Sequence, residues 1–192
     1  MTTLSRRVDG LDVTDPASVA RHMGALDGPY DLIFVAVGIL APTGASPEKT
    51  LGAISAGDMA QVMAVNAIGP ALILSHVPPL LAKTGVVAVL SARVGSIGDN
   101  RIGGWYSYRA SKAALNQIVH GAAIELGRSH KQSVCVALHP GTVETPFTAD
   151  YAGRHKTVSA PEAAANLLAV LDGLTPAQSG GFYDYAGKEI VW

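Results

Sequence analysis

Short apolar runs alternate with longer stretches of helical periodicity along the chain. Val8–Val13 reads as a short strand that ends in Thr14-Asp15-Pro16, a helix-start signal. Ala17–Leu26 follows as a helix. Asp31–Val37 holds an unbroken apolar run, as a strand covered on both faces of a parallel sheet requires. A loop rich in Gly, Pro and Ser comes next. Gly57–Leu81 has a helical pattern, with an irregularity expected at Gly69-Pro70 because proline lacks the N–H that would continue the helix ladder. Gly85–Leu90 is the next buried strand. Ser107–Leu126 is the clearest helix, with Ala110, Ala114, Ile118, Ala122 and Leu126 along one side. Ser133–His139 is a further strand. Ser159, with Glu162 three residues on, predicts a capping box opening a helix over Ala160–Leu171. Gly180–Tyr185 is the last strand. This alternation predicts an α/β fold of one domain, residues 1–192, with a parallel sheet and right-handed crossovers. In such sheets ligands sit beyond the carboxyl ends of the strands.

Composition narrows the class. Of the 192 residues 48% are hydrophobic and 15% charged, the balance of a packed globule. A net charge of −1 gives no footprint for nucleic acid or an anionic membrane. The longest apolar run, Pro70–Ala82, is interrupted by Ser75, His76, Pro78 and Pro79, and is too short and too broken to span a bilayer. Met1–Gly10 carries Arg6 and Arg7 with no apolar stretch behind them, unlike a signal peptide. The single cysteine, Cys135, cannot form an internal disulfide and falls in the apolar run Val134–Leu138. It reads as a buried thiol in a cytoplasmic protein. The six histidines show no paired metal-ligand spacing, so no metal site is expected.

The candidate chemistry begins at Tyr108 and Lys112. A spacing of four puts both on one helix face, one turn apart. A free tyrosine titrates near pH ~10 and is a poor acid or base at neutral pH. A neighbouring cation lowers that value. A solvated helix face would show the same pair, so context decides. Trp105, Tyr106 and Tyr108 cluster at this helix start, where they either wall a pocket or pack the core.

The stretch Tyr106–Asn116 (Tyr-Ser-Tyr-Arg-Ala-Ser-Lys-Ala-Ala-Leu-Asn) resembles the catalytic helix of short-chain dehydrogenases/reductases. Val65-Asn66-Ala67-Ile68-Gly69-Pro70 resembles their long-helix segment with its asparagine. His139–Pro146 resembles their nicotinamide loop, and Leu11-Asp12-Val13-Thr14-Asp15 the adenine-contacting end of their third strand. The motifs keep the family's order over essentially the whole chain, nearest its C-factor-like and carbonyl-reductase-like branches. The resemblance implies a Rossmann-like doubly wound parallel sheet and transfer of a hydride between NAD or NADP and a small carbonyl or alcohol substrate. It implies that Tyr108 gives or takes the hydroxyl proton and that Lys112 lowers the Tyr108 pKa and holds the nicotinamide ribose. Asn66 would bind a relay water. Asp12 and Val13 would contact adenine, Gly38 would let the backbone approach the cofactor, and the Pro140-Gly141 turn with Val143 and Thr145 would hold the carboxamide. Residue-level alternatives stand beside these: Asn66 as a backbone hydrogen-bonding partner, Asp12 as a turn or cap residue, Pro140-Gly141 as a plain turn. The resemblance also implies a homodimer or homotetramer paired through the two long helices.

Three departures from the family pattern matter. The family opens with a strand and a glycine-rich phosphate-binding turn. This chain resembles the family from its third strand onward, so the first β-α-β unit is expected to be lacking through N-terminal shortening. Two missing strands would leave a gap of roughly 10 Å. Then either Val8–Val13 moves in beside Asp31–Val37 or an apolar edge stays open. Second, Ala92 stands in the column of the catalytic serine, and Ser96 is the expected stand-in that polarises the substrate carbonyl. Third, Val35-Ala36-Val37-Gly38 replaces the family's Asn-Asn-Ala-Gly. A non-catalytic homologue that binds a partner is the alternative these departures leave open. The segment Phe147–Val158 is expected to form a substrate lid.

Overall fold

The structure is a computed structural model that describes residues 1–145 and 157–192. Asp15 opens the first helix, α1 (Pro16–Gly24), by accepting hydrogen bonds from the Ala17 and Ser18 amides. Four strands form the main sheet: β1 (Tyr30–Val35), β2 (Leu81–Leu90), β3 (Val134–His139) and, late in the chain, β6 (Phe182–Asp184). They run parallel in the order β1-β2-β3-β6. Thr142–Val143 (β4) and Thr157–Val158 (β5) make a separate two-stranded parallel ladder.

The helices cover both faces of the sheet. A run from Ala56 to Ser75 divides into α2 (Ala56–Met63), a π turn (Ala64–Ile68) and α3 (Gly69–Ser75). α4 spans Tyr106–Ser129, and α5 spans Ala160–Asp172. Strand alternation sorts the core into two halves. Val87, Val89, Cys135 and Ala137 face α1, α3 and α4 with Val19, Ile73, Leu115 and Val119. Ala88, Val134, Val136 and Leu138 face α5 with Leu167 and Leu171. The α/β, doubly wound reading therefore holds.

Three sequence expectations are corrected. Val8–Val13 is not a strand. Residues 6–9 turn, Gly10 takes a φ of +76°, and the Leu11 amide donates back to the Ser5 carbonyl. The Asp9 carboxylate and Ser5 hydroxyl capture the local amides of Ser5 and Val8, so these donors are spent close by and not on a neighbouring strand. Among the described residues β1 is consequently an edge that pairs only with β2, and the apolar edge is left open. Leu32 and Phe34 are 38% and 37% exposed, where a fully covered strand was expected. The helix irregularity falls at Ala64–Ile68, just before Gly69-Pro70. Pro70 has no N–H to give the carbonyl four residues back, that of Asn66, and the wider π turn is the local response. Finally, α4 buries Ser107, Ser111, Leu115, Val119 and Ala123, while Ala110 of the expected stripe is exposed.

Ala56–Ser75 is long and apolar enough by composition to cross a membrane. In the fold it buries Val62, Asn66, Ala67, Ile73 and Leu74, and its two helices pack against α4. Ser159 caps α5 by accepting from the Glu162 amide, the serine half of the expected capping box. The expected lid lies outside the described residues except for Thr157 and Val158, which form β5.

Candidate active site

Two strand ends and two helices converge beyond the carboxyl edge of the sheet. Tyr108 and Lys112 lie one turn apart on α4, 7% and 3% exposed. The Lys112 Nζ stands 6.0 Å from the centroid of the Tyr108 ring. It donates 2.9 Å to the carbonyl of Leu90, the last residue of β2. Gly95 packs against the backbone of Lys112: a Cβ there would come 2.8 Å from the Lys112 carbonyl carbon, so only glycine lets this turn close on the helix. Across the site, a Cβ on Gly38 would lie 3.4 Å from the Lys112 Nζ and 3.4 Å from Asn66 Oδ1. Lys112 is thus a buried cation in a niche bounded by Gly38, the Leu90 carbonyl and Gly95. Burial pulls its pKa down to about 8 and pushes that of the Tyr108 phenol well above its ordinary value. Tyr108 is held as the phenol, the proton-donating form.

Asn66, fully buried in the π turn, uses its side chain as a clamp. Its Oδ1 accepts from the Ile39 amide at 2.7 Å, and its Nδ2 donates to the Ile39 carbonyl at 2.8 Å and to Ser111 Oγ at 3.0 Å. Ser111 Oγ in turn donates 2.8 Å to the Tyr108 carbonyl. The chain Ile39–Asn66–Ser111–Tyr108 ties the loop after β1 to the first turns of α4. Both Nδ2 hydrogens and one acceptor site of Oδ1 are thus used on Ile39 and Ser111. Ile39 and Ser111 carry this arrangement, and sequence reading gave them no role. Ser111 sits inside the Tyr108–Lys112 interval, which was the available signal.

Ser96 does not become the hydroxyl that the sequence reading assigned to substrate. It is 1% exposed, its Oγ donates to the Val191 carbonyl, and it accepts from the Asp99 amide at 3.0 Å. Both bonds hold loop and C-terminal backbone together. Ser91 is also committed, donating from within the core to Asn116 Oδ1. Ala92, half-buried at the start of the Arg93–Gly95 turn, keeps the serine column without a hydroxyl.

The remaining cofactor candidates split into two groups. Asp12 Oδ1 accepts from the Thr14 hydroxyl and amide at 2.7 and 2.9 Å, which holds the carboxyl below its ordinary value. This is a turn-forming use of the side chain. Val13 packs on Gly69, where a Cβ would meet its Cγ2 at 2.9 Å. At the other end, Pro140 follows β3 and Gly141 takes a φ of +78°. A Cβ on Gly141 would touch the Tyr185 ring at 3.0 Å. Val143 pairs in β4 with Val158, and Thr145 lies two residues on. Next to this turn, Arg93 bridges Asp184 at 2.8 Å and Asp99 at 3.2 Å. Burial and the Arg93 cation lower the His139 pKa to about 4, so this imidazole is neutral.

A family model described as enoyl-(acyl carrier protein) reductase matches residues 2–173. The chain is 38% identical over 167 residues to C-signal of Myxococcus xanthus, covering 86% of this chain and 94% of that protein. It is 33% identical over 186 residues to 1-hydroxy-2-glutathionyl-2-methyl-3-butene dehydrogenase of Rhodococcus sp. strain AD45, covering 95% of this chain and 79% of that one. The NADPH-bound carbonyl reductase from chicken fatty liver superposes with a TM-score of 0.81 at 29% identity, covering 95% of this chain and 75% of that one. The chain belongs to the short-chain dehydrogenase/reductase family of NAD(P)-dependent oxidoreductases.

Proposed function

We propose that the chain reduces a small-molecule carbonyl to an alcohol at the Tyr108–Lys112 site, with NAD or NADP as its cofactor. The observation that carries this reading is the buried phenol of Tyr108 beside the buried cation of Lys112. The residues fit the nicotinamide end of such a cofactor. Gly38 leaves space over Lys112 and Asn66 that a side chain would fill. Lys112 uses one of its donors on Leu90 and has others for ribose hydroxyls. The Pro140–Thr145 turn, which follows β3 with Gly141 at a φ of +78°, is the segment that would face the carboxamide. The bound dinucleotide supplies the hydride.

The protein's own part is proton delivery and orientation. Tyr108 donates its phenolic proton to the substrate oxygen as charge develops there. Lys112 places a positive charge beside the phenolate that remains and stabilises it. The Asn66 clamp fixes the turn that carries Tyr108. With Ala92 in the serine column and the Ser96 hydroxyl donating to the Val191 carbonyl, the proton is delivered by Tyr108.

A homodimer or homotetramer through the two long helices is part of this reading, supported by Ile68 and Ile124, exposed on those helices. A cytoplasmic location is supported by Cys135, a buried free thiol. The test is calorimetry with NADP and NAD, followed by nicotinamide oxidation at 340 nm with small aldehydes and ketones. Binding of one dinucleotide with turnover of a carbonyl is expected. No binding of either dinucleotide contradicts the proposal.

A further inference from the structure

Helix α4 opens abruptly. Gly103 and Gly104 have φ of +69° and +65°, and Trp105, at the capping position, sits at +52°. An indole is only a donor and cannot cap amides. The acceptor comes from elsewhere in the chain. Glu48, in the loop after β1, is 8% exposed; its carboxylate accepts from the Ser107 amide at 3.2 Å and from the Ser107 hydroxyl. Its backbone carbonyl accepts from the Trp105 amide. Burial works to raise the Glu48 carboxyl, but the hydrogen bonds from Ser107 and from its own backbone amide together outweigh it and hold it below the ordinary value. A carboxylate also suits the positive end of a 24-residue helix.

We infer that Glu48 is a positioning residue for Tyr108, because its carboxylate caps from across the loop the first turn of the helix on which Tyr108 stands. Tyr108 follows Ser107 directly. The same loop is clamped at Ile39 by Asn66, so residues 36–55 grip the Tyr108 turn at two points, through Ser111 and through Ser107. A misplacement of ~1 Å in a catalytic group costs about 100-fold in rate. The inference rests on Tyr108 being the proton donor.

The test compares Glu48→Ala, Glu48→Gln and Ser107→Ala with the unaltered chain, at a temperature where each is folded by circular dichroism. Turnover is read at saturating NADP(H) and substrate, with NADP affinity from calorimetry. Glu48→Ala is expected to lose about tenfold or more in kcat with NADP affinity unchanged. Glu48→Gln, which keeps an oxygen for the Ser107 amide, is expected to regain most of it. Glu48→Ala with the original kcat, or Glu48→Gln no better than Glu48→Ala, overturns the inference. Where Glu48→Ala does not fold, Ser107→Ala decides: a lowered kcat with NADP affinity unchanged supports the inference, and an unchanged kcat overturns it. Tyr108→Phe, run alongside, separates the two readings. If it turns over like the original, the proton-donor reading fails, and amide exchange at Ser107 decides the cap. Faster exchange in Glu48→Ala than in Glu48→Gln supports capping, and equal exchange in the two overturns it.

Discussion

Gly38 and Lys112 face each other across the site, so that a Cβ on Gly38 would stand 3.4 Å from the lysine Nζ. Gly38 is in the loop after β1 and Lys112 in the middle of α4. Their approach leaves the space in which a cofactor can meet the lysine. Gly38→Val fills that space with a branched side chain while its backbone φ places no demand on glycine. The variant is expected to fold and to bind NADP at least about tenfold more weakly, a loss of roughly 1.4 kcal/mol. Equal affinity by calorimetry would show that the cofactor does not use this niche.

Lys112 is held in the core at a cost to stability. Its pKa falls to about 8 from the model-peptide 10.5, so below pH 8 the folded protein carries a buried charge that the unfolded chain keeps in water. Here the unfolded state binds more protons between those two values, so this group's contribution to stability rises with pH across that window. The penalty at pH 7 is on the order of 3 kcal/mol, and the Leu90 hydrogen bond offsets about 1 kcal/mol. Lys112→Met is therefore expected to gain about 2 kcal/mol in urea unfolding at pH 7 while losing turnover. A less stable variant would count against a strained cation.

Ala92 removes a hydroxyl from the place where the family polarises its substrate. Ala92→Ser restores it at a half-buried position next to the Arg93–Gly95 turn. One well-placed donor to a developing oxyanion is worth about 100-fold in kcat, so a gain of at least ~10-fold is expected for a favourable carbonyl substrate. An unchanged kcat would mean that the substrate oxygen lies elsewhere.

Much of the scaffold was legible in the sequence because it follows hydrophobic periodicity. The unbroken runs at β2 and β3, the Asp15 and Ser159 caps and the Tyr108–Lys112 interval all have local causes. What escaped has long-range causes. Val8–Val13 carries strand-forming residues, yet a strand needs a partner, and Ser5 accepts from the Val8, Asp9 and Leu11 amides first. The stripe on α4 holds at Ile118, Ala122 and Leu126 and fails at Ala110, because the buried face of the first turns holds Ser107, Ser111, Lys112 and Asn116, polar residues that hydropathy sends to solvent. Ser96 looked available by position, and only the fold shows its hydroxyl spent on Val191, 95 residues away. Asn66 and Ile39 meet across 27 residues, and Glu48 and Ser107 across 59, with no periodic signal for either pair.

The central claim is that the Tyr108 phenol delivers the proton. Tyr108→Phe removes one oxygen from a buried ring and leaves its packing. Single-turnover reduction of a carbonyl substrate by NADPH, measured for both proteins at pH 7 with NADP affinity determined in parallel, isolates that oxygen. A rate lower by about 10²- to 10⁴-fold at unchanged cofactor affinity is the predicted result; a rate within a factor of a few of the original chain would contradict the account.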